Sequence, residues 1–180
     1  MKRLLIALLL LAACRDEAPL PDPVAMTSGS IGFFCQMNIL DHGGPKAQIH
    51  LDAFPGMPLF FSQVRDAVAY LRSPEKDGVV LATYVTDMGA ADWDDPTSAP
   101  WVLASDAAYV VGSRRLGGMD QPEFIPFADP AQAQAFAAQN GGKVYALADI
   151  PAETLASDEA PAPGDAEDFA ARLKSATESQ

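Results

Sequence analysis

The chain has 180 residues, of which almost half are apolar, and its formal net charge at pH 7 is −12. This length suits one domain, or two small units that share a core. The acidic balance argues against a nucleic acid as partner, because the sequence has no basic patch that could bind phosphates.

The first residues are typical of an export signal. Two basic residues precede an apolar run over residues 4–11, which is too short to cross a bilayer as a permanent helix. The sequence LAAC at residues 11–14 is similar to a bacterial lipobox, in which the cysteine is lipidated and becomes the new N-terminus. A plain secretory signal with a chance cysteine is the alternative. On the lipobox interpretation, residues 1–13 are the signal peptide and Cys14 carries the lipid.

The link between the lipid and the folded part is predicted to lie in residues 14–28. Three prolines occur there among acidic and small residues, a composition typical of a flexible tether without fixed structure. Because an acidic protein is repelled by anionic lipid, its attachment must come from the acyl groups on Cys14 rather than from charge.

Cys35 is the thiol that remains free once Cys14 is lipidated. No disulfide can then form within the chain, although exported domains generally pair their cysteines. An unpaired thiol in an oxidising compartment has to be protected by burial or used.

An alternating run over residues 33–39 predicts the first strand, with Cys35 and Met37 on one face. Residues two apart on a strand lie ~7 Å from each other, so one soft ion could bridge these two sulfurs. Thiolate plus thioether is the donor set that selects Cu(I) over hard cations. The alternative is that both are ordinary core residues.

A second strand is predicted over residues 47–51, after a glycine-rich turn, and the two strands are expected to form a hairpin. The pairing that sets their apolar faces together puts His50 on the side away from Cys35, so His50 is not expected to be a ligand. His42, in the turn, remains open as a nitrogen donor.

The order strand, strand, helix, strand occurs twice along the predicted chain. A helix beginning at Pro58 and ending before Ser73, then a strand over residues 79–85, complete a first ββαβ module over residues 29–85. Strands at 101–103 and 108–112, a helix capped by Asp129 and a strand at 143–147 form a second module over residues 101–150. The sequence thus predicts an α+β fold of two ββαβ units that pack together.

Two loops and a tail lie outside these elements. The connecting loop at residues 86–100 carries four aspartates, but their spacing does not match an EF-hand loop, and a solvated acidic loop is expected. In residues 117–127, two glycines before Met119 predict a mobile loop that could close a thioether over copper. The alternative is that Met119 packs on the surface of the core, and Met57 and Met88 are weaker candidate donors. Residues 151–180 are acidic and are predicted to be mostly disordered, with a short helix at 166–174.

Several motifs follow the LAAC sequence in order and extend to about residue 150. They are Cys35-Gln36-Met37, Gly44-Pro45-Lys46-Ala47-Gln48-Ile49, Tyr84-Val85-Thr86-Asp87, Trp93, and Met119 with Ile125-Pro126-Phe127. Together they closely resemble the NosL family of nitrous oxide reductase accessory lipoproteins.

This resemblance implies a lipoprotein on the periplasmic side of a bacterial membrane, inner or outer, that binds Cu(I) and helps to build the copper–sulfide centre of nitrous oxide reductase. Its implied partners are the nitrous oxide reductase apo-enzyme and a dedicated ABC transporter. Cys35 and Met37 match the family's Cys-x-Met pair, and Met119 is the implied third donor. The resemblance also implies modules similar to those of organomercurial lyase. The family's usual turn is His-Pro-Gly-Pro-Lys, and the sequence His42-Gly43-Gly44-Pro45-Lys46 lacks its first proline, which loosens the loop.

Three functions have to be separated: a copper chaperone without catalysis, an enzyme, and a structural lipoprotein without ligand. A cysteine nucleophile needs a base within hydrogen-bond reach, for which the sequence offers only His42 and His50. Cleavage of a carbon–mercury bond would need a second thiol. A structural role predicts that Cys35 is buried and unreactive. Whether copper bridges two copies into a dimer is left open.

Overall fold

The computed structural model describes residues 19–156, so the predicted signal peptide, Cys14 and the tail from residue 157 lie outside the described residues. Within this range the strands form a four-stranded and a three-stranded sheet, both antiparallel. The predicted α+β fold class is confirmed.

The first sheet has the strand order β2-β1-β3-β4. Helix α1 follows β2 and ends at Ser73, whose backbone N–H donates to the carbonyls of the last turn. The elements of this half are β1 (Ala47–Leu51), β2 (Leu59–Phe61), α1 (Val64–Arg72), β3 (Val80–Thr86) and β4 (Trp101–Leu103).

The second sheet has the strand order β6-β5-β7. Asp129 caps helix α2 by accepting a hydrogen bond from the N–H of Ala131, and Gly141 ends the helix with a φ of +77°, as expected for this residue type. The elements of this half are β5 (Ala108–Leu116), β6 (Pro122–Phe127), α2 (Pro130–Asn140), β7 (Lys143–Ala146) and α3 (Glu153–Ala156).

One buried apolar cluster joins the two halves. Ile49 and Leu51 of the first sheet, Val68 of α1, and Tyr109 and Phe124 of the second sheet all belong to it. Because neither sheet buries its inner face without the other, the two units fold as one body around a common core. None of the helices between residues 19 and 156 is long and apolar enough to cross a membrane.

The strand predicted over residues 33–39 is wrong, and so is its hairpin with residues 47–51. Both edges of β1 are already paired, with β2 on one side and β3 on the other, so no edge is left for a further strand. The chain instead reverses at Gln36, whose φ is +56°. A 3₁₀ turn at Ile39–Asp41 follows. Alternation of apolar residues therefore predicted a strand that the topology excludes.

Three further elements differ from the prediction. Residues 59–61, assigned to the start of a helix, form strand β2, because their backbone pairs with β1 before the helix begins at Val64. Residues 122–127, predicted as part of a mobile loop, form strand β6, which pairs with β5. Its two prolines are tolerated because β6 lies at a sheet edge. Strand β4, which was assigned to the second module, joins β3 of the first sheet.

Part of the predicted tether is also ordered on the domain. Gln48 exchanges two hydrogen bonds with the backbone of Val24, and the hydroxyl of Tyr84 donates to the carbonyl of Pro21. Polar side chains on the outer face of the first sheet thus hold residues 21–24, which sequence composition placed in free solution.

Candidate metal centre

Cys35 lies in a tight loop that begins at Gly32. The Gly32 N–H donates to the Met37 carbonyl at 2.9 Å, and the Gln36 N–H donates to the Gly32 carbonyl at 2.9 Å. The loop is fastened to the sheet by the Phe33 N–H, which donates to the carbonyl of Phe60 at 2.7 Å. A six-residue loop closed by its own backbone therefore carries both residues of the predicted Cys-x-Met pair.

The Cys35 thiol is half-buried, and its sulfur lies 3.1 Å from the hydroxyl oxygen of Ser62. Gly32 leaves the space that the sulfur occupies, because a Cβ at position 32 would overlap Cys35 Sγ and would lie 2.8 Å from the Ser62 hydroxyl. The thiol is thus held at a defined position on the loop while part of its surface stays open to solvent.

Met37 follows Cys35 on the same loop, with 41% of its surface exposed. Its backbone carbonyl is used to close the loop, whereas its thioether stands free of the apolar core. An exposed methionine on the same loop as a half-buried thiol is a donor pair that a soft metal ion can approach from solvent.

Met119 lies in the turn that joins β5 to β6. The Gly117 N–H donates to the Gln121 carbonyl at 2.8 Å, and the Asp120 N–H donates to the Gly117 carbonyl at 3.0 Å. The Met119 side chain is half-buried. These hydrogen bonds make the turn a defined hairpin, whereas a mobile loop was predicted.

This turn packs against the two segments that adjoin the Cys35 loop. A Cβ at Gly117 would lie 2.8 Å from the side-chain nitrogen of Gln63, the residue after Ser62. A Cβ at Gly118 would overlap the Gly43 carbonyl. Because Ser62 contacts Cys35, the structure brings the Met119 turn and the Cys35 loop to the same end of the protein.

The two histidines have different surroundings. His42 lies beside the Met119 turn, since a Cβ at Gly118 would be 2.9 Å from the His42 Cβ. Its Nε2 is buried without a hydrogen-bond partner, which leaves it available as a nitrogen donor. His50 is hydrogen-bonded to Gln48 on strand β1, and burial lowers its pKa.

A buried cation and a buried carboxyl lie beneath these loops. The Lys46 ammonium donates to the carbonyls of Gly43 and Gly44, each at 2.9 Å. Burial lowers the pKa of Lys46 to about 8, against the opposing pull of Glu123 and Cys35. Burial raises the pKa of Glu123 to about 8, although the N–H groups of Arg65 and Phe124 donate to its Oε1.

Sequence reasoning did not identify Ser62, Gln63 or Glu123 as parts of this region, and it treated Lys46 only as part of a motif. A charged residue directly before an apolar run, as with Glu123 before residues 124–127 of β6, is the sequence signal that could have pointed to a special environment.

The other candidate donors lie elsewhere. Met57 is exposed, and Met88 packs against the second half of the core, with Thr86 donating to its sulfur at 3.9 Å. Among residues 19–156, no group of three or more His, Cys, Asp or Glu side chains could hold a metal ion. Two aspartates of the connecting loop accept backbone hydrogen bonds instead: Asp95 caps a 3₁₀ turn at Pro96–Ser98, and Asp87 accepts from the N–H groups of Gly89 and Ala128.

Comparison with known proteins gives a consistent result. The sequence model of the NosL family matches residues 23–155. The copper-binding lipoprotein NosL of Achromobacter cycloclastes is 49% identical over 178 residues, covering 93% of this chain and 90% of that protein. The NosL of Stutzerimonas stutzeri is 31% identical over 129 residues, covering 72% and 66% respectively.

A solved structure agrees with these relatives. The crystal structure of the copper chaperone NosL from Shewanella denitrificans superposes with a TM-score of 0.69 at 30% identity, covering 75% of this chain and 99% of that one. The match confirms the resemblance seen in the motifs. This chain therefore belongs to the NosL family.

Proposed function

We propose that this protein is a lipid-anchored Cu(I) metallochaperone on the periplasmic side of a bacterial membrane, and that it supplies copper for assembly of the copper–sulfide centre of nitrous oxide reductase. The observation that carries the proposal is the half-exposed Cys35 thiol on a tight loop with the exposed Met37, beside the turn of Met119. Relatives named copper-binding lipoprotein and copper chaperone support it.

The chemistry suits transport of the ion rather than its permanent storage. Copper is the cargo, and its ligands are the Cys35 thiolate, the Met37 thioether and, as third donor, the Met119 thioether. His42 is the alternative third ligand. Soft sulfur donors favour Cu(I). Donors at the surface leave a coordination position that the ligands of a partner can attack, so the ion can pass from one protein to the next.

The partners we propose are the nitrous oxide reductase apo-enzyme and its dedicated ABC transporter. An apolar rim surrounds the donor loop, since Ile31 and Phe34 are about half exposed next to Met37. Phe34 also packs on Phe61 and Tyr70. Exposed aromatic and methionine side chains are typical of protein contact surfaces, so the rim suits a copper acceptor that docks over the loop.

The remaining parts of the proposal concern the anchor. Cys14 is the proposed lipidation site, and the membrane is contacted through its acyl chains. Two relatives named lipoproteins support this assignment. The inner and the outer membrane are both compatible with it, and a copper-bridged dimer is compatible with the surface position of the donors.

The half-exposed thiol favours the chaperone over a structural lipoprotein, for which a buried Cys35 was expected. It is also less suited to nucleophilic catalysis. The hydrogen-bond partner of the sulfur is the Ser62 hydroxyl, which is a poor general base compared with an imidazole.

The test is a titration of the lipid-free protein with Cu(I) against a competing chelator under strict exclusion of oxygen. We expect one ion per chain and a large loss of affinity in Cys35→Ser. X-ray absorption on the Cu(I) form then counts sulfur and nitrogen neighbours, which separates Met119 from His42 as third ligand. An unchanged affinity in Cys35→Ser would remove the thiolate from the site and contradict the proposal.

A further inference from the structure

Ser62 contacts the Cys35 loop from a rigid part of the fold. It lies between the end of strand β2 and the start of helix α1. Its neighbours Phe61 and Gln63 are both buried, and Phe61 pairs with Ala47 of β1. The Ser62 side chain therefore has a fixed origin, whereas Cys35 is carried by a loop.

The Ser62 hydroxyl is hydrogen-bonded to the Cys35 sulfur, with 3.1 Å between oxygen and sulfur. Within residues 19–156, this sulfur is the one hydrogen-bond partner that the structure shows for the hydroxyl. Ser62 is only 2% exposed. A buried hydroxyl that loses its partner costs free energy, so the contact stabilises the position of the sulfur as well as that of the hydroxyl.

Gly32 makes this contact possible. A Cβ at position 32 would overlap the Cys35 sulfur and would lie 2.8 Å from the Ser62 hydroxyl oxygen. Gly32 is not among the glycines with a positive φ, so the backbone conformation does not require glycine there. The missing side chain instead provides the space in which the sulfur and the hydroxyl meet.

The two sides of the Cys35 sulfur differ. Ser62 is buried and approaches the sulfur from the protein side, whereas the half-buried Cys35 leaves the solvent side open to an ion. In the metal-free thiol, either group can donate the hydrogen bond. When copper binds, the thiol proton passes to solvent as the copper–sulfur bond forms. The sulfur then carries no hydrogen, so the hydroxyl has to be the donor.

We infer that Ser62 is a positioning residue of the copper site: its hydroxyl donates to the Cys35 thiolate from the protein side and keeps the free side of the sulfur directed to the incoming ion. The inference rests on Cys35 as a copper ligand of the proposed function. Hydrogen bonds to an ionised acceptor are stronger than those to a neutral one, so this bond strengthens as the ion binds. Groups that hydrogen-bond to metal ligands orient them, and their loss typically lowers metal affinity by about 10- to 100-fold.

The first experiment compares Ser62→Thr with Ser62→Val in the lipid-free protein. The two new side chains have nearly the same shape, so any strain from the added methyl group is common to both, and only the hydroxyl differs. In the anaerobic Cu(I) titration against a chelator, Ser62→Thr should bind about tenfold or more tightly than Ser62→Val. Ser62→Ala, which adds no atoms, should lose affinity as Ser62→Val does. Circular dichroism checks that each variant is folded.

The second measurement is the ultraviolet charge-transfer absorption of the Cu(I)–thiolate bond, which a purely structural role of Ser62 would not move. A hydrogen bond lowers the energy of the sulfur lone pairs, so the band should lie at longer wavelength in Ser62→Val than in Ser62→Thr. Ser30→Ala is the matched control. Ser30 is also buried close to the loop, but its hydroxyl oxygen accepts from the N–H of Thr27. The affinity and the band of this control should match those of the wild type.

The third measurement needs no copper. In a Cys14→Ser background, Cys35 is the only thiol of the chain, so one S–H stretching band appears in the Raman spectrum. This band should differ between Ser62→Thr and Ser62→Val, because only the first retains the hydrogen bond.

Equal affinities, or equal Raman bands, in Ser62→Thr and Ser62→Val would overturn the inference and leave the proposed function standing, provided that the wild type binds copper. A wild type that binds no Cu(I) would instead refute the proposed function and, with it, the role of Ser62 toward copper. The Raman band would still show in that case whether Ser62 holds the Cys35 thiol.

Discussion

Lys46 and Glu123 are both buried beneath the Cys35 loop and the Met119 turn, and the charge of each shifts the pKa of the other. Lys46 is 0% exposed and Glu123 2% exposed. The Glu123 carboxylate raises the pKa of Lys46, and the Lys46 ammonium lowers the pKa of Glu123, but burial acts in the opposite direction and is the larger effect on both. With both pKa values near 8, the ammonium and the neutral carboxyl are the main forms at neutral pH.

The first prediction concerns Glu123→Gln and the pH dependence of stability. The folded pKa of about 8 lies above the usual pKa of 4.5 for a glutamate, so the folded protein binds more protons than the unfolded chain between these limits. The free energy of unfolding should therefore fall as the pH rises from about 4.5 to about 8. Denaturant titrations in this range should show a flatter profile for Glu123→Gln, because an amide cannot ionise.

Glu75→Gln is the matched control, since Glu75 is an exposed carboxylate. The profile of this control should follow that of the wild type. A Glu123→Gln profile with the wild-type slope would mean that the buried carboxyl does not take up the proton. Above about pH 8, Lys46 acts with the opposite sign, because its folded pKa lies below the usual pKa of 10.5 for a lysine, and stability should recover as the ammonium loses its proton.

The second prediction concerns Lys46→Met. The variant removes the donor that the carbonyls of Gly43 and Gly44 share, so buried acceptors lose their partner. We expect a loss of about 1–3 kcal/mol in the free energy of unfolding. Copper affinity should also fall, because Gly43 packs on the turn that carries Met119. The measurements are denaturant unfolding and the anaerobic copper titration.

Lys76→Met is the control for this lysine. Lys76 also donates to a backbone carbonyl, that of Ser73, but it is exposed. This change should alter stability by less than about 0.5 kcal/mol and leave copper binding intact. If both variants lost the same stability and the same copper affinity, the burial of Lys46 would not explain the effect of Lys46→Met.

The third prediction concerns Gly118→Ala. A Cβ at this position would overlap the Gly43 carbonyl and lie 2.9 Å from the His42 Cβ, so the Met119 turn must shift away from the His42 segment. Copper affinity should drop while the core stays folded, as the copper titration and circular dichroism would show. In Gly29→Ala the new Cβ would lie 3.7 Å from its nearest neighbour, and no change is expected. An unaltered copper affinity in Gly118→Ala would show that metal binding does not depend on the position of this turn.

The fourth prediction tests the thioether donors. Met119→Leu and Met37→Leu keep the volume of the side chain but remove its sulfur, and each should weaken Cu(I) binding by about tenfold or more, which corresponds to ~1.4 kcal/mol. Met88→Leu is the matched control, because Met88 packs against the apolar cluster that contains Ile125 and Phe127. Loss of affinity in the Met88 variant, or none in Met119→Leu, would contradict the proposed ligand set.

Part of the fold could be predicted from local signals. The cap at Asp129 and the glycine at 141 define helix α2 because they satisfy its terminal N–H and C=O groups within a few residues. Strands β1 and β3 were predicted from local signals too, from alternating apolar residues in one and a run of strand-forming residues in the other. The pairing of the strands was not predictable in this way, because it depends on which edges remain free once the sheets have formed.

The sequence by itself determined the family, the fold class and the small set of sulfur donors, because these depend on the identity and order of residues along the chain. Only the tertiary structure decided how those donors are presented. Cys35 lies on a closed loop rather than a strand because β1 has no edge to offer, and the turn of Met119 reaches that end because β6 pairs with β5. Residues 21–24 are a second example. Their prolines predict a free tether, but the side chains of Gln48 and Tyr84, buried on the sheet face, hydrogen-bond to the backbone of this segment.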